Sequence, residues 1–237
     1  QTYTPVRFTD KPEEYSKYWK IRSGVFPSVG GLRPTGTSCL IEDIVFPLDV
    51  MPEAVTDLQK LIADHGYKDG CIYGHSIEGN FHFIINQNFS DDAEVKRFEG
   101  LIDAVVDLVV DKYDASLKGE HGTGRNIAPF VRREWGDQAY AVMKEVKDLF
   151  DPRNLLNTGV IFNDDPKCHI KHLKHLTKTN DHVDKCIECG FCEVNCLTCG
   201  FTLSARQRTV IQREITRLRG TGEDPERLRE LENAYVY

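Results

Sequence analysis

Basic charge is in short supply in this chain. Its 237 residues hold 30 Lys or Arg against 37 Asp or Glu, for a formal net charge of -7. That balance excludes general nucleic-acid binding, which needs a positive face. Long apolar runs are missing as well. The longest is broken by Asp103 and Asp107, far short of the roughly 18 apolar residues of a membrane-crossing helix. No glycine-rich dinucleotide fingerprint is present. Cysteine is scarce where a disulfide scaffold would need it: only Cys39 and Cys71 precede residue 165, while five of the eight lie between 186 and 199. Disulfide frameworks spread their bridges along the chain, so this crowding points to a metal or cluster in a reducing cytoplasm. The opening residues carry no secretory leader pattern. Because they begin at Gln1 rather than Met, the chain reads as a piece of something longer.

What is present is enough for a core, with 40% hydrophobic and 10% aromatic residues. Periodicity predicts helices over 12–26 and 52–66, a strand over 39–47 ended by Pro47, and two strands around a Gly79-Asn80 turn. It also predicts a longest helix over 91–116, with Val95, Phe98, Leu101, Ile102, Val105, Leu108 and Val109 as its buried stripe. A glycine loop at 119–124 and helices near 127–134 and 136–150 follow. After about 165 no strand signal appears, and an Arg-rich helix (204–220) and a last helix (225–236) are expected. The fold class is therefore α+β: an antiparallel sheet with covering helices over 1–165, then a small, partial all-helical domain over 166–237.

Three motifs carry chemistry. Cys186, Cys189, Cys192 and Cys196 follow the C-x2-C-x2-C-x3-C spacing of [4Fe–4S] ligands. Cys199 leaves a zinc knuckle open as a rival. "YGHSIEGNFHF" places His75 and His82 on either side of a turn, where two imidazoles could meet. "GEHGTG" presents Glu120 beside His121, a pair able to ligate metal or move a proton. A fourth feature, "CHIKHLKHL" over 168–176, spaces His169, His172 and His175 as on a solvated or interface helix.

Taken in order, "GHxxxGNxH", "GEHGxG" and "DPxxLLNTG" resemble the C-terminal part of FAD-linked 2-hydroxy acid dehydrogenases of the vanillyl-alcohol oxidase superfamily. That group includes D-lactate dehydrogenase, the glycolate oxidase flavin subunit and D-2-hydroxyglutarate dehydrogenase. "CIECGFCEVNC" is similar to the iron–sulfur extension of large bacterial members. The resemblance implies that His75, His82 and Glu120 ligate a divalent ion (zinc, iron or manganese) and that His121 is the base. It implies that Asn80, and Asn157 of the "DPxxLLNTG" motif, lie toward the flavin, and that Arg22 of "YWKIRS" holds the substrate carboxylate. The FAD itself would be bound mainly by an upstream domain. The implied reaction takes a small 2-hydroxy acid of the D-lactate or glycolate type to the 2-oxo acid, with electrons passing through a 4Fe–4S cluster to a quinone or redox protein. The implied location is the cytoplasm, including the inner face of the membrane by peripheral contact. Ile41, where some members carry lysine, counts against a dicarboxylate substrate. The alternative reading is a non-catalytic iron–sulfur electron-transfer subunit.

Overall fold

The computed structural model describes residues 8–236. Their contacts gather into two units, one of residues 36–176 and one joining the N-terminal residues through Thr35 to Thr177 and beyond. The boundary near 165 that composition marks is separate from this break at 176/177.

The first unit is built on a three-stranded antiparallel sheet ordered β1-β3-β2, from β1 (Ser38–Val45), β2 (Cys71–His75) and β3 (Asn80–Gln87). Alternate side chains point to opposite faces. Leu40, Ile44, Ile72, Phe81, Phe83 and Ile85 form the apolar face, covered by α2 (Met51–Asp64) and α3 (Asp92–Val106). Helix α2 meets the core with Ala54, Leu58 and Ile62, one turn apart. Helix α3 brings Phe98, Leu101, Ile102 and Val105, and Asp91 caps it by accepting from the Ala93 N–H at 2.7 Å. Each fully buried Leu, Ile or Phe contributes about 1.5–3 kcal/mol. That face therefore holds the sheet rigid enough to position groups on the other one.

The expected helix over 91–116 stops short of its expected end. It widens into a π-helical turn at Asp107–Lys112 and ends, with Asp114 in a left-handed conformation at φ 48°. The chain then returns to the sheet, where Ser116 exchanges both backbone hydrogen bonds with Val45 at 2.9 and 3.0 Å. A short helix α4 (Gly124–Ile127) leads into α5 (Val131–Phe150), which is broken at Gly136 where φ is 74°. The two helices expected near 127–134 and 136–150 correspond to α5 and that break. Residues 168–176 are not the expected helix. A single 3-10 turn covers Cys168–Ile170, and His172 then adopts φ 53°, which stops any continuation. His169 is buried against the Phe130 ring at 5.2 Å rather than solvated.

The second unit contains α1 (Pro12–Gly31), the short α6 (Asp181–Asp184), α7 (Ala205–Thr221) and α8 (Pro225–Val236). Helix α1 runs past the expected end at 26, through Pro27. Helix α7 starts with a capping box between Ser204 and Gln207 and ends at Gly222. Its buried cluster is small: Ile215, Leu218 and Leu231.

Candidate active site

The sheet face opposite the core carries an unusual row. The register sets Asp43 beside His82 and His82 beside Tyr73, with Val45, Asn80 and His75 forming the next row. The turn occupies 76–79, and Asn80 already belongs to β3. His75 is therefore directly opposite Asn80, not His82. The two imidazoles meet on the diagonal, with ring centres 5.7 Å apart and planes at 89°.

Asp43 and its neighbour Glu42 explain how the glycine loop is held here. Adjacent strand residues face opposite ways, and both acids reach the same segment. On the core side, Glu42 accepts from Lys118 Nζ at 2.9 Å and Asn126 Nδ2 at 2.5 Å. Burial raises the Glu42 pKa, and Lys118 opposes that rise. On the site side, Asp43 is fully buried. Its Oδ2 accepts three consecutive backbone N–H groups, from Gly119 and Glu120 at 2.8 Å and His121 at 2.9 Å. Its Oδ1 accepts from Asn80 Nδ2 at 2.6 Å. Burial alone would raise its pKa, but the bonds from His121, Asn80, Gly119 and Glu120 together leave it lowered. Successive N–H groups converging on one anion make a nest, here filled by the protein's own carboxylate. Gly119 is obligatory, because a Cβ there would lie 2.5 Å from Asn80 Nδ2 and 2.7 Å from Val45 Cγ2.

So pinned, the loop delivers Glu120 over the histidines. One oxygen, Oε1, lies 3.0 Å from His75 Nε2 and 2.9 Å from His82 Nε2. His121 stacks flat on His82, with ring centres 4.5 Å apart and planes 3° apart, and its Nε2 is 4.0 Å from the same oxygen. His82 is buried, His75 half-buried, and Glu120 and His121 exposed, so the cluster has a closed floor and an open mouth. Burial holds the His82 pKa below the usual histidine range, the His121 charge adds to this, and Asp43 and Glu120 oppose it. A neutral imidazole is the form that ligates metal.

The donor set fits a divalent ion. Two nitrogens and a carboxylate oxygen within 4.8 Å of one another match a three-ligand site with an open position. His82 supplies the sharper observation. Its Nδ1 is buried without a hydrogen bond and lies 3.4 Å from Asp43 Oδ1. Nδ1 toward a carboxylate and Nε2 toward the ligand point is the usual orientation of a metal-binding histidine.

Three further residues are expected to contribute: Asn80, Asn157 and Arg22. Asn80 is buried, and its amide nitrogen is committed to Asp43 and, at 3.0 Å, the Ile44 carbonyl. Asn157 is exposed in the turn after α5, with φ 47°. Arg22 belongs to the other unit, where its guanidinium lies 5.6 Å over the Trp19 ring. Also in that unit, the cysteine loop has Glu188 at φ 61° and Gly190 at φ 83°, and the Glu188 N–H approaches Cys186 Sγ at 3.4 Å. The Thr198 hydroxyl, 3.3 Å from Cys196 Sγ, and nearby backbone N–H groups lower that thiol to about 7. Among the described residues, neither group of converging ligand atoms contains a cysteine.

A family model described as "FAD linked oxidases, C-terminal domain" matches residues 2–161. The chain belongs to that family. Among curated relatives of this FAD-linked oxidase domain is a protein named probable D-lactate dehydrogenase, mitochondrial, from Danio rerio. It is 30% identical over 154 residues, covering 65% of this chain and 30% of the relative. The glycolate oxidase subunit GlcD of Bacillus subtilis (strain 168) is 25% identical over 162 residues, or 68% of this chain and 33% of the relative. A D-2-hydroxyglutarate dehydrogenase of Haemophilus influenzae is 30% identical over 126 residues, or 51% and 12%. The chain thus spans a third or less of the length of these relatives. No described helix is long and apolar enough to cross a membrane.

Asp43 is the functional residue that motif reading missed. Its signal was available: two adjacent acids inside the apolar run "LIEDIVF". Charges are almost never buried without partners, so a buried acid in a strand announces a polar network.

Proposed function

We propose that this chain forms the substrate side of an FAD-dependent 2-hydroxy acid dehydrogenase acting on a D-lactate- or glycolate-type substrate. The observation that carries the reading is the convergence of His75, His82 and Glu120 with His121 stacked beside them. Oxidation of a secondary or primary 2-hydroxyl removes a proton from oxygen and a hydride from carbon, leaving the 2-oxo acid. His121 takes the hydroxyl proton at its exposed ring. His82, kept neutral by burial, lies with Nδ1 3.4 Å from Asp43 Oδ1 and Nε2 toward Glu120. Asp43 also fixes the backbone under His121, so base and ligand cluster keep one geometry. A divalent ion, when bound to His75, His82 and Glu120, supplies Lewis acidity toward the hydroxyl. FAD, bound mainly by residues outside this chain, supplies the hydride acceptor.

The four thiols at Cys186, Cys189, Cys192 and Cys196 suit a 4Fe–4S cluster that passes electrons singly to a quinone or redox protein. The left-handed Glu188 points its backbone N–H at Cys186 Sγ, 3.4 Å away, in keeping with a thiolate there.

The test is dye reduction by D-lactate and by glycolate in the flavin-loaded protein. His121→Ala should lower kcat by about 10²–10⁴ with KM little changed. Wild-type kcat in that variant would assign the base elsewhere. Full turnover in His82→Ala would leave only the electron-transfer role.

A further inference from the structure

Two buried arginines converge on the backbone of the first cysteine. Arg33 donates from Nη1 to the Gly30 and Lys185 carbonyls at 2.8 and 3.2 Å, and from Nη2 to the Asp184 and Cys186 carbonyls, both at 2.9 Å. Arg213, on α7, donates from Nη2 to the Val183 and Cys186 carbonyls at 2.8 and 2.7 Å. Its Nη1 pairs with Glu188 Oε1 at 2.5 Å. The Cys186 carbonyl is thus shared by both guanidiniums. Arg33 is 8% exposed and Arg213 is 4% exposed, so solvent screens these charges little.

The partner of Arg213 matters as much as the arginine. Glu188 has φ 61°, a conformation a non-glycine residue adopts only when its surroundings hold it there. That conformation points the Glu188 N–H at Cys186 Sγ, 3.4 Å away. The Arg213–Glu188 pair is a side-chain contact that restrains it. Arg213 Nε is buried with no acceptor. A buried donor left over beside a thiol loop is an independent sign that an anionic group belongs nearby.

We propose that Arg33 and Arg213 are positioning residues for the iron–sulfur site: they set the cysteine loop before any cluster arrives and raise the cluster's reduction potential. This rests on the cluster reading above. Reduction adds a negative charge, which nearby buried cations stabilise. The fixed loop spares the cluster the cost of ordering it.

The experiment uses the full chain, reconstituted anaerobically with iron and sulfide, with three readouts: iron per chain, the rate of iron loss to a chelator, and the midpoint potential by electron paramagnetic resonance titration. Arg213→Met should lose iron about 10–100-fold faster, the usual size of an outer-sphere effect, and any retained cluster should titrate at a more negative potential. Arg213→Lys keeps the charge without the fork, so it should hold the potential near wild type while still losing iron faster. Glu188→Gln leaves α7 untouched and guards against simple misfolding; it should also speed iron loss. Iron retention and potential equal to wild type in all three variants would overturn the positioning role while leaving the cluster reading intact. A wild-type chain that takes up no iron–sulfur cluster would overturn both.

Discussion

The two candidate centres are held by opposite strategies. The histidine–glutamate site stands on a sheet whose far face is sealed by some twenty buried side chains. Its loop is fastened by a carboxylate inside that sheet. The cysteine loop lies in a unit whose buried cluster is three residues. Around its thiols Phe191, Val194, Leu197 and Phe201 are exposed. Guanidiniums hold its backbone from the side. An anion organises the first site and cations organise the second, each matching the charge of the group proposed for it: Asp43 accepts from the loop that carries Glu120, whereas Arg33 and Arg213 hold the Cys186 carbonyl. The difference also separates cause from consequence. The first site is shaped by folding; the second has little core of its own, so a cluster bound there as proposed would supply folding energy.

The largest effect should come from removing the anion under the first site. Asp43→Ala leaves three N–H groups and Asn80 without their acceptor in a buried setting, and should cost about 3–5 kcal/mol. Urea unfolding of the sheet unit, followed by fluorescence, reads this. Asp43→Asn keeps the shape and should cost less, because one oxygen acceptor survives.

A middle-sized effect should mark the contrast itself. Stripping the cluster from the reconstituted chain should lower hydrogen-exchange protection over 177–236 while leaving 38–109 unchanged. Equal loss in both stretches would mean that the sheet site also relies on the cluster.

The smallest effect belongs to a carboxylate outside both centres. Asp151 caps the turn after α5, held first by Lys147, then by the N–H groups of Leu155 and Leu156 at 2.9 and 2.8 Å, and its pKa is lowered from 3.8 to about 2. A lowered carboxylate stabilises the fold fully above its ordinary pKa, and that stability fades as pH falls through the folded value. Acid titration of thermal stability should therefore show a loss between about pH 4 and 2 that Asp151→Asn lacks.

Much of this was legible in the sequence, for physical reasons. The strands and the stripe of α3 follow from periodicity, since their far faces are buried. His75, His82 and Glu120 could be singled out because "GHxxxGNxH" and "GEHGxG" in that order resemble the family's motifs; each motif alone allows a plain structural role. Three features were not legible. The end of the 91–116 helix is set by a π-turn that leaves the apolar period intact. The histidines of 168–176 keep helical spacing without a helix, because His172 turns left-handed. The diagonal meeting of the imidazoles depends on register, which a four-residue turn fixes and a two-residue reading displaces. The roles of Arg33 and Arg213 were hidden because each acts on backbone carbonyls far away in sequence, and a motif shows only side chains near one another; Asp43 left a signal, its place beside Glu42 in an apolar strand, but not the loop it holds.

The central claim is that folding alone assembles a divalent-cation site from His75, His82 and Glu120. Manganese binding followed by electron paramagnetic resonance tests it most directly, because soft thiolates do not compete for that ion. The account predicts one bound manganese per chain, with affinity falling at least about tenfold in His75→Ala and in Glu120→Gln. Manganese bound equally well by wild type and both variants, or not bound by the wild type at all, would contradict it.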